Sequence, residues 1–126
     1  MSKAKEREKG IQFVRIPSEW LWGMFSDYLS LSVPARMVYF CLRAAYYPRS
    51  KSGLGNNGAI AESYSSLKKG SGFSSHTTIS NALKELQKKG WIRKTAQGGL
   101  LRNPNKYELT GKYDPFVEGQ GLPPAL

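Results

Sequence analysis

The chain has a single cysteine, Cys41, and a single histidine, His76, among its 126 residues. A lone thiol closes no intrachain disulfide and points to a reducing compartment, so the cytoplasm is the expected location. Cys41 lies in an apolar helical stretch away from His76, and the two residues assemble no Cys/His zinc cluster. Neither a Gly-x-x-x-x-Gly-Lys-Ser/Thr phosphate loop nor a Gly-x-Ser-x-Gly elbow occurs. The nine acidic residues lie mostly in tails and on helix surfaces, with no close pair on a shared helical face. This inventory predicts no enzyme, no metal and no cofactor; a nuclease with carboxylates on separate elements is the remaining enzymatic alternative. No apolar run approaches the ~20 residues that a membrane helix requires, and no secretory leader is visible.

Negative charge is scarce, and the positive excess is local. The net charge is +10, and residues 36–112 hold 14 of the 19 basic residues against only Glu62, Glu85 and Glu108. A field of that sign attracts polyanions and makes binding salt-sensitive, because phosphate contacts release counterions. The alternative is a set of lysines that only keeps a small protein in solution.

One domain of modest core fits this length, with tails at both ends. Residues 1–10 alternate Lys3, Lys5, Arg7 and Lys9 with Glu6 and Glu8, and are expected to form a basic disordered tail. Residues 11–113 form the predicted domain. Residues 114–126, with Pro115, Pro123, Pro124, Gly119 and Gly121, are the expected flexible tail.

Within the domain, Pro17-Ser18 opens a predicted helix to about Leu29, with Trp20, Leu21, Met24, Phe25, Tyr28 and Leu29 on one stripe. That spacing assigns its aromatics to a core or a dimer contact rather than to base stacking, and leaves Trp22 at the edge, facing a partner. Ser32-Val33-Pro34 starts a second helix, nearly all apolar from Ala35 to Tyr47 apart from Arg36 and Arg43. Asn57-Gly58 is a turn dipeptide. Ala59 to Glu62 is a predicted short strand. Ser63 caps a helix to about Lys69, and Gly70-Ser71-Gly72 is read as the turn that follows. Trp91 to Ala96 and Lys106 to Thr110 read as two strands of a hairpin, with Arg102 in the tip.

Between turn and hairpin lies the most telling run. Ser75 is placed to cap a helix by accepting a backbone N–H near Thr78, and Gly90 ends it. On helical spacing Ile79, Ala82, Leu83 and Leu86 share one side, while Thr77, Ser80, Asn81, Lys84 and Lys88 lie opposite. One face packs, and the other is free to touch nucleic acid.

The predicted order of helix, helix, strand, helix, turn, helix and hairpin resembles a winged helix-turn-helix domain, mainly α with a small antiparallel β wing. From about Phe13 to Asp114 the chain is similar to small phage, plasmid and bacterial helix-turn-helix proteins, among them replication-initiator-like proteins and transcription regulators. The residues that carry this are Phe13, Ile16 and Pro17, then Leu31, Ala35 and Arg36, and the Asn-Asn-Gly loop. Ala82 to Leu86 followed by Lys89 to Ile92 is common to many winged helices.

The resemblance implies double-stranded DNA as partner, in a bacterial or phage-infected cytoplasm, with a regulatory or replication-associated role for a mobile element. Helix-turn-helix docking points the N-terminal half of the recognition helix into the major groove. The base-contact candidates are therefore Ser75, His76, Thr77, Ser80, Asn81 and Lys84. Asn81 suits a bidentate contact to adenine, and the Thr77 methyl suits a thymine methyl. No arginine occupies the first turn, so guanine readout by arginine is not available there. For His76 a packing or phosphate role is favoured over base reading. Lys68, Lys69, Lys88, Lys89, Arg93, Lys94, Arg102 and Lys106 are the phosphate-contact candidates; each is alternatively a solvated surface charge. A two-fold homodimer would suit paired half-sites. The rival reading is an adaptor or inhibitor that docks the same fold on a host protein or nucleoprotein complex.

Overall fold

Two short helices stand where the sequence predicts one. The computed structural model describes residues 14–23, 25–48, 55–98 and 104–117. In it the first segment forms α1 (Ser18–Leu21) and α2 (Ser26–Leu29) instead of a continuous helix. Gly23 between them takes φ 75°, a left-handed conformation that no α-helix contains and that glycine enters without a Cβ penalty. Phe25 then runs extended at the head of α2. The break folds the aromatic stripe back on itself. Trp20 and Tyr28 would stand about 12 Å apart along a continuous helix; here their rings stack with centroids 5.1 Å apart. Both are buried, whereas Leu21 and Leu29, expected on the same inward stripe, are exposed.

Ser32 caps α3 (Val33–Ala45), its hydroxyl accepting the Ala35 N–H at 3.3 Å, with Pro34 in the first turn. The helix ends where Tyr46 turns extended, and Asn56 completes the end. Its amide donates to the Ala45 carbonyl and its Oδ1 accepts the Tyr47 N–H, both at 2.7 Å. Asn57 serves the sheet in the same way: its Oδ1 accepts the Leu109 N–H at 2.7 Å and its amide donates to the Leu109 carbonyl at 2.9 Å. The Asn-Asn-Gly run is thus more than a turn; it stitches α3 to the sheet.

That sheet has three strands, β1 (Ile60–Ala61), β2 (Ile92–Ala96) and β3 (Lys106–Leu109), in the order β1-β3-β2 and antiparallel throughout. Tyr107 pairs with Ile60 and Leu109 with Ile92, which places four buried side chains on the inner face. An irregularity between Lys94 and Ala96 bends β2 as it leaves for the hairpin tip.

Ser63 caps α4 (Tyr64–Ser71) by accepting the Ser66 N–H at 3.1 Å. This helix outruns the predicted end at Lys69: Gly70 and Ser71 are helical, and only Gly72, at φ 83°, makes the turn. Gly70 serves helix packing, since a Cβ there would lie 2.7 Å from the Cys41 sulfur of α3. After the turn comes α5 (His76–Lys88), closed by Gly90 at φ 83°.

The tail expected from residue 114 begins with residues bound into the core. Asp114 is buried against Arg43 and Tyr39, and Val117 is buried with them. The physical reason is the guanidinium of Arg43, which α3 carries into the interior and which needs an anion there. Residues 118–126, like residues 1–10 and Arg102, lie outside the described residues. Among the described residues no helix is long and apolar enough to cross a membrane. The architecture is mainly α with a small antiparallel β wing formed by β2 and β3, compatible with a winged helix.

Candidate nucleic-acid interface

The candidate interface is built on α5. Ser75 accepts the Thr78 N–H at 3.3 Å, so the helix starts at His76 as the cap position requires. Ile79, Ala82, Leu83 and Leu86 are buried against α3 and the sheet. The opposite side is open. Ser75, His76, Thr77, Asn81, Lys84 and Lys88 are exposed, and Ser80 is half-buried at the edge. Among the described residues the side chains of Thr77, Asn81, Lys84 and Lys88 have no hydrogen-bond or ion-pair partner, which leaves them free for a ligand.

The flanking cations divide into free and committed groups. Lys69 is exposed and Lys68 half-buried in the last turn of α4. Lys106 is exposed at the root of the wing. Lys94 is exposed and donates to the Gln97 side chain at 2.9 Å, a contact within the wing that leaves its charge uncompensated.

Arg93 and Lys89 differ. The Arg93 guanidinium lies 2.5 Å from the carboxylate of Glu108, its register partner on β3, so its charge is largely neutralised. Lys89 donates to the Ser30 carbonyl at 2.6 Å and lies 3.7 Å from Glu85. It fastens the end of α5 to the loop between α2 and α3. The Glu85–Lys89 pair is an i,i+4 spacing at the end of α5, whereas Ser30 and Glu108 come from a distant turn and strand that local spacing does not reveal.

Glu85 makes the same fastening from its other side. Its two carboxylate oxygens accept the Ser32 N–H and hydroxyl, each at 2.7 Å. Partial burial pushes its carboxyl upward, but the two Ser32 hydrogen bonds and the Lys89 charge outweigh that and hold it below the usual glutamate value. The capped start of α3 and the end of α5 are thus one joint, and it fixes the angle at which α5 is presented.

His76 does not stand alone. Its ring lies 4.4 Å from that of Tyr64, tilted by 30°. Sequence reasoning missed Tyr64, although a signal was present: each residue directly follows a capping serine, Ser63 or Ser75, so each ring opens its helix.

Trp20 sits among Phe25, Tyr28, Tyr39 and Trp91, its ring 5.2 Å from that of Trp91, and is core. Trp22 is 79% exposed, in agreement with its edge position in the sequence.

The fold is similar to a solved structure described as the N-terminal domain of a DNA-binding protein, with a TM-score of 0.53 and 17% identity over 86% of this chain and 80% of that one. At that identity the likeness is one of fold. No protein-family model matches the chain, and no curated protein matches it in sequence.

Proposed function

We propose that this protein is a winged helix-turn-helix protein that binds double-stranded DNA, with α5 in the major groove and the β2–β3 wing against the adjacent backbone. The carrying observation is the polar face of α5: Thr77, Asn81 and Lys84 are exposed, have no hydrogen-bond or ion-pair partner among the described residues, and are held on a helix whose other side is buried. Rigid presentation of a few polar side chains is what base readout requires. Lys68 and Lys69 on α4, Lys88 on α5, and Lys94 and Lys106 on the wing supply charge for phosphates. The similarity of fold to a DNA-binding domain supports the same reading. Its role is that of a transcription regulator or replication-associated protein of a mobile element, acting in the cytoplasm without catalysis.

Selection of bound sequences from a random duplex pool tests this directly. A recovered consensus, lost or relaxed in Asn81→Ala and Thr77→Ala, is the expected outcome. Each bidentate contact discriminates by about 1–3 kcal/mol, so the change in preference at one base pair is measurable. No enrichment at low salt would overturn the reading.

The rival use as a protein-docking adaptor draws on one observation, the exposed indole of Trp22. On that reading Trp22→Ala abolishes partner capture, whereas Asn81→Ala leaves it unchanged.

A further inference from the structure

The ring contact between Tyr64 and His76 joins the first residues of the two helices of the helix-turn-helix. Tyr64 is half-buried and His76 is exposed, so the tyrosine is the fixed member and the imidazole the presented one. Tyr64 is itself packed against the buried core. On the wing, the Tyr107 hydroxyl accepts from the Asn105 amide at 3.2 Å. Asn105 in turn accepts the Gly98 N–H at 2.5 Å across the neck of the hairpin. The core thus holds Tyr64, and the Tyr64 ring in turn meets the head of α5.

An imidazole on an exposed first turn samples several rotamers, and ordering it on binding carries an entropic cost. A ring already packed against a neighbour has lost that freedom in the free protein. We propose that Tyr64 is a positioning residue of the duplex interface: it holds the His76 imidazole at the head of α5, where a ring N–H donates to a phosphate oxygen alongside the free N–H groups of the first turn. This rests on the duplex-binding reading above. Tyr64 does not touch DNA; it acts through His76.

The test uses the full chain and exploits His76 as the sole histidine. Its imidazole carbon-bound protons give a unique NMR signature, displaced by the ring current of Tyr64. Tyr64→Leu, which keeps apolar bulk, should return those resonances toward unstacked positions, and Tyr64→Phe should retain the displacement. On a mixed-sequence DNA duplex, Tyr64→Leu should weaken binding by about 3- to 10-fold, in line with the loss of one pre-ordered side chain, and Tyr64→Phe should restore most of it. His76→Ala should weaken binding by at least as much, and Tyr64→Leu added to His76→Ala should have no further effect, because the two act as one unit.

Losses that multiply in the double variant would overturn the proposal, since Tyr64 would then act independently of His76. Unchanged binding in Tyr64→Leu, or a His76 signal insensitive to it, would do the same. A wild-type chain that binds no duplex at low salt would instead remove the underlying reading, and with it the proposal.

Discussion

Arg43 and Asp114, 71 positions apart in the sequence, meet in the interior with Nε 2.6 Å from the carboxylate. Tyr39 donates its hydroxyl to the same oxygen at 2.7 Å, the Phe116 N–H reaches the other oxygen at 3.1 Å, and the guanidinium also donates to the Arg15 carbonyl. Burial, then the Asp114 charge, push the Tyr39 phenol far up, so it keeps the proton it donates to Asp114. Removing one member of a buried pair strands the other charge, which destabilises by about 3–5 kcal/mol, whereas replacing both with apolar residues is often close to neutral. Asp114→Ala is therefore expected to cost that amount in urea denaturation, and Arg43→Met with Asp114→Leu should recover most of it. A chain ended after Tyr113 should be less stable still than Asp114→Ala, because buried Val117 is lost as well; one ended after Val117 should keep the clasp.

The contact of Gly70 with Cys41 sets two effects against each other. Alanine in a helix interior is favoured over glycine by about 0.5–1 kcal/mol, but an added methyl 2.7 Å from the sulfur overpacks the α3–α4 contact, typically by about 1–3 kcal/mol. Overpacking wins, so Gly70→Ala should lower the melting temperature. In a Cys41→Ala background the sulfur is gone and only the helix gain remains, so the same substitution should become stabilising. Equal effects of Gly70→Ala in the two backgrounds would show that the close approach has no energetic weight.

The parts of this fold that were legible from sequence are those decided within a few residues. Ser63 and Ser75 cap their helices through their own hydroxyls, Gly90 stops α5 with its positive φ, and the apolar positions of α5 are buried because one helical face has nowhere else to go. What escaped depends on partners distant in sequence. Arg43 interrupts an apolar helix without announcing Asp114; Lys89 and Arg93 look like free cations until Ser30 and Glu108 arrive beside them. Gly23 escaped for another reason. A glycine opposite an aromatic stripe is compatible with a helix, and only the closing of Trp20 onto Tyr28 and Trp91 makes a break there the better packing.

Glu85 gives the fold an acid-sensitive joint. With its folded-state carboxyl held below the ordinary 4.5, the folded chain takes up that proton less readily than the unfolded one. The stabilisation is fully present above pH 4.5 and is lost as the pH falls through the lowered folded value. Glu85→Gln should therefore flatten this part of the acid limb in a plot of unfolding free energy against pH. At neutral pH it should cost about 1 kcal/mol, the usual net contribution of a hydrogen bond. An acid limb of unchanged slope would mean that the Ser32 contacts do not discriminate between the charged and neutral carboxyl.

Lys88 and Lys89 are neighbours of identical chemistry given different tasks by the fold, which makes them the sharpest internal control for the duplex interface. Lys88 is exposed without a partner among the described residues, while Lys89 is bonded to the Ser30 carbonyl and lies beside Glu85. A phosphate contact releases a counterion, so its loss reduces the slope of log affinity against log salt by about one. Lys88→Ala should show that reduction with unchanged thermal stability; Lys89→Ala should lower stability and leave the slope intact. The wing repeats the contrast: Lys94→Ala should weaken all duplex sequences alike, whereas Arg93→Ala should mainly destabilise the hairpin by stranding buried Glu108. If Lys89→Ala changed the salt slope as much as Lys88→Ala, the duplex would have to approach α5 from the side of the α2–α3 loop, and Thr77, Asn81 and Lys84 would no longer be the reading face.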